Sequence, residues 1–325
     1  MTITTCQLLS NVDMPVLILL LALALDLLLG DPPNRYHPVV VMGNFVKGVA
    51  RLAPQEGPTW RFIHGAVLVL SGVALFSLPL AWALVWVRRL SPLAYLLLAA
   101  LLLKATFSYT GLVKAARQVK AALERDDLPE ARRLVNWHLV SRDTSQLDAS
   151  LVAAAAVESV AENITDGIVA PLLFFALASL PGAWAYRFVN TCDSMLGYRD
   201  PVHEHLGKFA ARLDDVLNFI PARLAGLLLL AAAALAGEDA AGAWQAMWHQ
   251  HRRTASPNAG WTMSAMAGAL GVTLEKVGHY RLEGGHALPG AETVDRALKV
   301  AAVTVGLFIG LLGIVLAVAH ICPTA

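Results

Sequence analysis

Apolar residues dominate this chain in long runs, and its polar residues fall in blocks between them rather than at regular intervals. Six runs approach the roughly 20 residues that a helix needs to cross a bilayer: 16–29, 63–87, 93–113, 168–184, 216–236 and 300–321. No segment alternates apolar and polar positions as a half-buried strand does. The pattern predicts an all-α, polytopic integral membrane protein with about four to six membrane helices. The first run is short, and Asp26, Gly30 and Asp31-Pro32-Pro33 interrupt its end. Runs 168–184 and 216–236 are also broken, by Pro171 and Pro181-Gly182 in one and by Pro221 and Arg223 in the other. Broken apolar segments can be re-entrant where protein buries them or a cavity lines them.

The whole chain reads as a single membrane domain, 1–325, with a helical insertion at 112–166 and a polar loop region at 237–299. Lys114, Arg117, Lys120, Arg132 and Arg133 make the insertion basic, as befits helices lying near anionic headgroups. Pro129, after Asp126-Asp127, suits the first turn of its second helix.

Composition agrees with the pattern. The chain is 57% hydrophobic and 15% charged, where soluble proteins carry about 25% charged residues. If all six runs cross, alternate loops hold 17 Lys and Arg against 6. The positive-inside rule then puts the richer set, and with it the expected active site, in the cytoplasm. The polar block 185–215 would face the other side unless the two broken runs turn back. The first fourteen residues hold no Lys or Arg, which argues against a cleavable signal peptide. Cys6, Cys192 and Cys322 are too dispersed for a zinc or iron–sulfur site. A net charge of +1 gives no reason to expect a nucleic-acid partner.

The most informative block runs from Val157 to Leu172. Glu158, Glu162 and Asp166 recur every four residues, which on an α-helix places them on one arc of about 80°. Like charges on one stripe repel unless cations offset them. Carboxylates beside membrane-type sequence point to Mg²⁺ and phosphate chemistry. On the other reading the glutamates are solvated and Asp166 caps a helix starting at Gly167. Asp26 and Asp31 are acids in or at the end of an apolar run, an expensive placement that marks functional residues, followed by His37-Pro38. Arg142, in Ser141-Arg142-Asp143, has the planar fork that clamps oxyanions, while Asp143, Thr144 or Ser145 is the expected cap of the helix that leads to Glu158. Asp193-Ser194, Gly197-Tyr198-Arg199 and then His203 and Lys208 mix acids, hydroxyls and cations suited to a phosphorylated ligand. Asp214 and Asp215 form a weaker acidic pair. Ser256-Pro257-Asn258-Ala259-Gly260 is loop chemistry beside Arg252 and Arg253, and Gly278 to Gly285 is a second turn region. No GxxxxGK is present, so a P-loop nucleotide site is excluded.

Taken in order, Asp26…Gly30-Asp31-Pro32…His37-Pro38-Val39…Met42-Gly43, Ser141-Arg142-Asp143, Glu158-Ser-Val-Ala-Glu162-Asn163-Ile-Thr-Asp166-Gly167, Asp193-Ser194-Met195…Gly197-Tyr198 and Ser256-Pro257-Asn258-Ala259-Gly260 resemble the adenosylcobinamide-phosphate synthase family of cobalamin biosynthesis, the CobD/CbiB type. The resemblance runs from about residue 20 to residue 300. It implies a multi-pass inner-membrane enzyme that joins a propionate of adenosylcobyric acid to aminopropanol or its phosphate, using ATP and Mg²⁺. The residues expected to act are Asp31, His37, Glu162 and Asp193 in catalysis. Arg142, Asn163, Ser194, Tyr198, Arg199 and Asn258 would bind substrate or phosphate, and Glu158, Glu162 and Asp166 the metal. Partners would be the corrinoid, the amine and the bilayer, with self-association or association with other membrane-bound corrinoid enzymes. Two other readings stand beside it: a membrane phosphotransferase or prenyltransferase using the same acids, and a non-enzymatic membrane sensor of the AmpE kind.

Overall fold

A computed structural model of the chain describes residues 14–31, 37–198, 200 and 203–321, and nearly all of its regular structure is helical. Five stretches of the described residues are long and apolar enough to cross a membrane: Pro58–Leu90, Pro92–Glu124, Ala149–Leu196, Phe219–Ala236 and Ala291–Val318. Met14–Leu29 and Pro38–Ala50 are shorter apolar helices, consistent with the early break at Asp31-Pro32.

Local chemistry explains where the helices begin. Pro38, Pro58 and Pro92 each occupy a first helical turn, where a missing N–H costs nothing and a fixed φ helps. The His37 ring accepts from Val39 N, and Ser91 accepts from Ala94 N. Pro129 starts helix Leu128–His138 as expected, with Asp127 as its cap. The helix leading to Glu158 is capped by Asp148, which accepts from Leu151 N, rather than by any residue from Asp143 to Ser145. Asp143 instead closes a local turn onto Ser145.

The prolines in the broken runs act differently from one another. Pro221 sits in the first turn of helix Phe219–Ala236, so it marks a start rather than a break. Pro181 follows a real kink, with Ala178 and Ser179 out of helical geometry and Ser179 at φ 55°. Proline removes a donor and clashes with the carbonyl one turn back, which fits a kink just before it.

The chain divides into two compact units: Met1–Ser108 with Ala170–Leu217 and Leu311–Ala325, and Tyr109–Val169 with Asn218–Gly310. In the first unit, helices Pro38–Ala50, Pro58–Leu90 and Ala170–Leu196 enclose a core of Met42, Val46, Leu68, Phe188, Cys192 and Leu196. Phe188 stacks on Phe76 with ring centroids 5.2 Å apart. It lies so close to Gly72 that a Cβ there would meet its ring at 2.0 Å. Cys192 is a buried core thiol.

The second unit is built round helix Ala149–Asn163, whose residues Val152 to Ala161 are all buried. Its alanines let neighbours approach closely. Helices Tyr109–Glu124, Leu128–His138 and Ala259–Leu270 pack on it. Residues 237–299 hold two helices and a β-hairpin that the hydropathy pattern gave no sign of. Strands Thr273–Lys276 and Tyr280–Glu283 pair antiparallel, Lys276 opposite Tyr280, across a tight loop with Gly278 at φ 76°. The Gln250 amide clamps the second strand by giving to Glu283 O and accepting from Glu283 N, both at 2.7 Å.

Candidate functional site

Each unit contains a buried cluster of charged residues, and both clusters include residues that the sequence singles out. In the first unit the cluster centres on Lys104, the last residue of helix Pro92–Lys104. Its ammonium, 3% exposed, lies 2.9 Å from Asp26 Oδ1 and 2.5 Å from Asp31 Oδ1. Ser108 donates its hydroxyl to the other Asp31 oxygen. His37 Nε2 stands 4.0 Å from Asp31 Oδ1. Its Nδ1 accepts from Val39 N at 3.2 Å, so the ring proton of the neutral imidazole sits on Nε2, toward the carboxylate.

Asp31 is about one-third exposed, whereas Asp26 is 1% exposed. Burial works to raise the Asp31 pKa. Hydrogen bonds from Lys104 and Ser108, with the charges of Lys104 and His37, outweigh it and hold the carboxyl below its ordinary 3.8. Burial lowers the His37 pKa below 6.5; Asp31 opposes this, while Arg187 and Lys104 reinforce it.

Asp193 and Ser194 close helix Ala170–Leu196 in the same unit. Gly197 packs against Asp193 so tightly that a Cβ would meet Asp193 Oδ1 at 2.2 Å. Ser194 and Tyr198 are exposed, and the Tyr198 ring lies 5.8 Å from that of His203. Arg199 falls outside the described residues. One turn before Asp193, Arg187 gives to Asn190 Oδ1, and Asn190 gives to Asp214 Oδ1, each at 3.3 Å.

The second cluster surrounds Glu158. Arg142 Nη2 donates to Glu158 Oε2 at 3.2 Å, and Glu158 is 4% exposed. Glu158 Oε1 and Arg142 Nε are both buried without a hydrogen-bond partner among the described residues. Such groups are costly unless something satisfies them. From the hairpin, Tyr280 turns its hydroxyl toward Glu158, and Lys276 adds a positive charge nearby. Burial raises the Tyr280 pKa, and the charges of Glu158 and Glu162 raise it further, so the phenol stays a hydrogen donor.

Glu162 lies one α-helical turn on and is half-buried. Asp166 lies within a π-helical turn, Ile164–Val169, where the α register ends. An i→i+5 turn takes more residues than an α turn, so the step from Glu162 to Asp166 does not keep the α-helical spacing. Asp166 therefore caps no new helix at Gly167. Among the described residues, no three His, Cys, Asp or Glu side chains gather as a metal cage. Mg²⁺ is commonly held by one or two carboxylates together with substrate phosphates. Glu158 Oε1, a buried acceptor without a partner, beside Glu162, fits that arrangement.

Asn163 gives its amide to Ser159 O at 2.9 Å, and Ser159 gives its hydroxyl to Leu139 O. Asn258 is buried, and its Oδ1 accepts from Arg223 Nη1 at 3.1 Å. The guanidinium of Arg223 stacks on Phe219 and Trp261. Arg253 is engaged by Glu283 at 3.2 Å. Sequence reasoning passed over Lys104 and Tyr280. A lysine ending an otherwise apolar helix carries the same signal as Asp26. Tyr280 gave no local signal, because only the hairpin brings it to Glu158.

These features define a polytopic helical membrane protein with two buried acid–base clusters. The family profile for CobD/Cbib protein matches residues 19–307, and the chain belongs to that family. A Dehalococcoides mccartyi protein named cobalamin biosynthesis protein CobD is 51% identical over 82% of this chain and 86% of its own length. A Methanothermobacter thermautotrophicus protein named probable cobalamin biosynthesis protein CobD is 43% identical over the same shares. The Geobacter metallireducens protein named cobalamin biosynthesis protein CobD is 44% identical, covering 79% of this chain and 80% of its own. No solved structure matches the chain.

Proposed function

We propose that this protein acts in cobalamin biosynthesis as an ATP- and Mg²⁺-dependent amide ligase. It would join a propionate of adenosylcobyric acid to 1-amino-2-propanol or its O-phosphate, giving adenosylcobinamide or its phosphate. Family membership and the names of the relatives support the pathway. The observation that carries the reaction is the buried Arg142–Glu158 pair, which leaves one acceptor and one donor unsatisfied inside the protein.

A carboxylate does not acylate an amine unaided, because its oxygen is a poor leaving group. Transfer of the γ-phosphoryl group from ATP to a carboxylate oxygen gives an acyl phosphate and ADP. The amine then attacks the acyl carbon, the C–O bond to phosphate breaks, and inorganic phosphate leaves. One proton is lost from nitrogen in forming the amide. Catalysis of such a transfer is mostly positioning and charge stabilisation.

Glu158 and Glu162, with Asp166 as a further proposed contact, would hold Mg²⁺, which when bound neutralises phosphate charge. Arg142 would bind a phosphate or carboxylate oxygen through the N–H that has no protein partner. Tyr280, protonated at neutral pH, would donate a hydrogen bond in the same cluster. In the first unit, Asp31 and His37 would receive the ammonium and take its proton. Asp193, Ser194, Tyr198 and Arg199 remain proposed ligand contacts, and the active site is proposed to face the cytoplasm.

The test is ligation by purified protein in detergent, with adenosylcobyric acid, ATP, Mg²⁺ and either amine, read by mass spectrometry for the new amide. Product from one amine and not the other establishes the activity and names the substrate. Full ATP-dependent ligation by Glu162→Gln would remove that residue from the metal site.

A further inference from the structure

In the first unit, five polar side chains drawn from four segments converge below the surface. Asp26 comes from helix Met14–Leu29, Asp31 and His37 from the stretch before helix Pro38–Ala50, and Lys104 and Ser108 from the end of helix Pro92–Lys104 and the turn after it. Asp26 and Lys104 are sealed from solvent, His37 and Ser108 are partly exposed, and Asp31 reaches furthest outward. The two oxygens of Asp31 have separate partners, Lys104 on Oδ1 and Ser108 on Oδ2. A carboxylate held at both oxygens cannot rotate about its terminal bond without losing a partner.

The charges are arranged in order. Asp26 balances Lys104 from the buried side at 2.9 Å, and Asp31 takes the same ammonium from the exposed side at 2.5 Å. The His37 Nε2–H faces Asp31 from 4.0 Å while its Nδ1 is fixed by the helix cap. Among the described residues, the charged and titratable groups that act here are Asp26, Asp31, His37 and Lys104, with Arg187 reaching His37 through space. A buried ion pair earns little net stability against an apolar pair of the same volume. Holding a reactive carboxylate in one orientation is what such a pair can add.

We infer that Lys104 is a positioning residue, anchored by Asp26, that holds the Asp31 carboxylate fixed against His37 so that the pair can receive the ammonium of the amine substrate. This rests on the ligase reading above. Lys104 touches neither substrate nor reacting atoms; it acts through Asp31.

The experiment compares wild type, Lys104→Met and the double variant Asp26→Asn/Lys104→Met, each purified in detergent and shown to be folded. The double variant removes both buried charges together, so it escapes the penalty of a stranded Asp26. The readouts are kcat and KM for the amine across pH, and thermal melting across pH. The expected result is a double variant that melts near wild type yet ligates about 100-fold more slowly, the scale of a misplaced reacting group. Its pH profile should also move in the acid limb, because Asp31 has lost the cation beside it. A double variant with wild-type kcat and pH profile would overturn the proposal and reduce Lys104 to a counterion. If wild type makes no amide, the ligase reading fails, and the acid limb of melting decides alone. A shift of that limb to higher pH in the double variant supports the anchoring of Asp31, and an unchanged limb overturns it.

Discussion

The two buried clusters differ in how completely they are satisfied. Around Lys104 the charges close on one another: the ammonium lies against two carboxylates, Asp31 has a partner at each oxygen, and Asp26 Oδ1, outside hydrogen-bond geometry, is ion-paired at 2.9 Å. Around Glu158 the network is open, with one carboxylate oxygen and one guanidinium N–H left without hydrogen-bond partners among the described residues. A closed cluster keeps its geometry without a ligand, because each buried charge has its complement. An open one is expensive for folding and is better explained by something it must bind. On the proposed reading, the contrast separates residues that set geometry from residues that meet ligand.

The largest expected effect breaks the closed cluster. Lys104→Met strands Asp26 in the interior and should cost about 3–5 kcal/mol of stability. Denaturant unfolding in detergent measures it, and the Asp26→Asn/Lys104→Met pair should restore most of the loss. The open cluster should respond in the reverse sense. Glu158→Gln removes a charge that already lacks one partner, so unfolding should move less than in Lys104→Met, while amide formation falls by about 100-fold or more. If Glu158→Gln destabilises as much as Lys104→Met, the distinction between the clusters fails.

Acid should act on the closed cluster in two stages. The pKa of His37 lies below its ordinary 6.5, through burial first and with Arg187 and Lys104 adding to it. The stability from keeping it neutral is therefore complete above pH 6.5 and is lost as pH falls through its lowered value. The Asp31 pKa is below 3.8, because its hydrogen bonds and neighbouring cations outweigh burial. Its contribution is complete above that value and lost as pH drops further. Melting curves should decline gently below pH 6.5 and more steeply below 4, and Asp31→Asn should remove the second decline. The smallest effect is expected at Tyr280→Phe, about 0.5–1.5 kcal/mol for a lost hydrogen bond, with a larger change in ligation rate than in melting.

Much of this was legible along the chain. Hydropathy located the apolar helices, because crossing a bilayer demands long runs that few other structures need. Proline announced the helix start at Pro129, since it acts through adjacent backbone, whereas the cap of the helix to Glu158 was expected at 143–145 and lies at Asp148. Charge in an apolar context marked Asp26 and the Glu158 block. What the chain hid depends on distance in sequence. Lys104 meets Asp31 across 73 residues, and Tyr280 meets Glu158 through a hairpin whose Gly278 turn was visible but whose two four-residue strands were lost in a polar region. Periodicity also assumed an unbroken α-helix, whereas Asp166 lies in the π turn at Ile164–Val169.

The most direct measurement follows oxygen. Adenosylcobyric acid labelled with ¹⁸O in its free carboxylate is turned over by the purified protein with ATP, Mg²⁺ and the accepted amine. Activation as an acyl phosphate predicts one labelled oxygen in the released inorganic phosphate for every amide formed, with the other retained in the amide. Amide formed with unlabelled phosphate, label carried into AMP, or no amide from folded protein would each contradict the account.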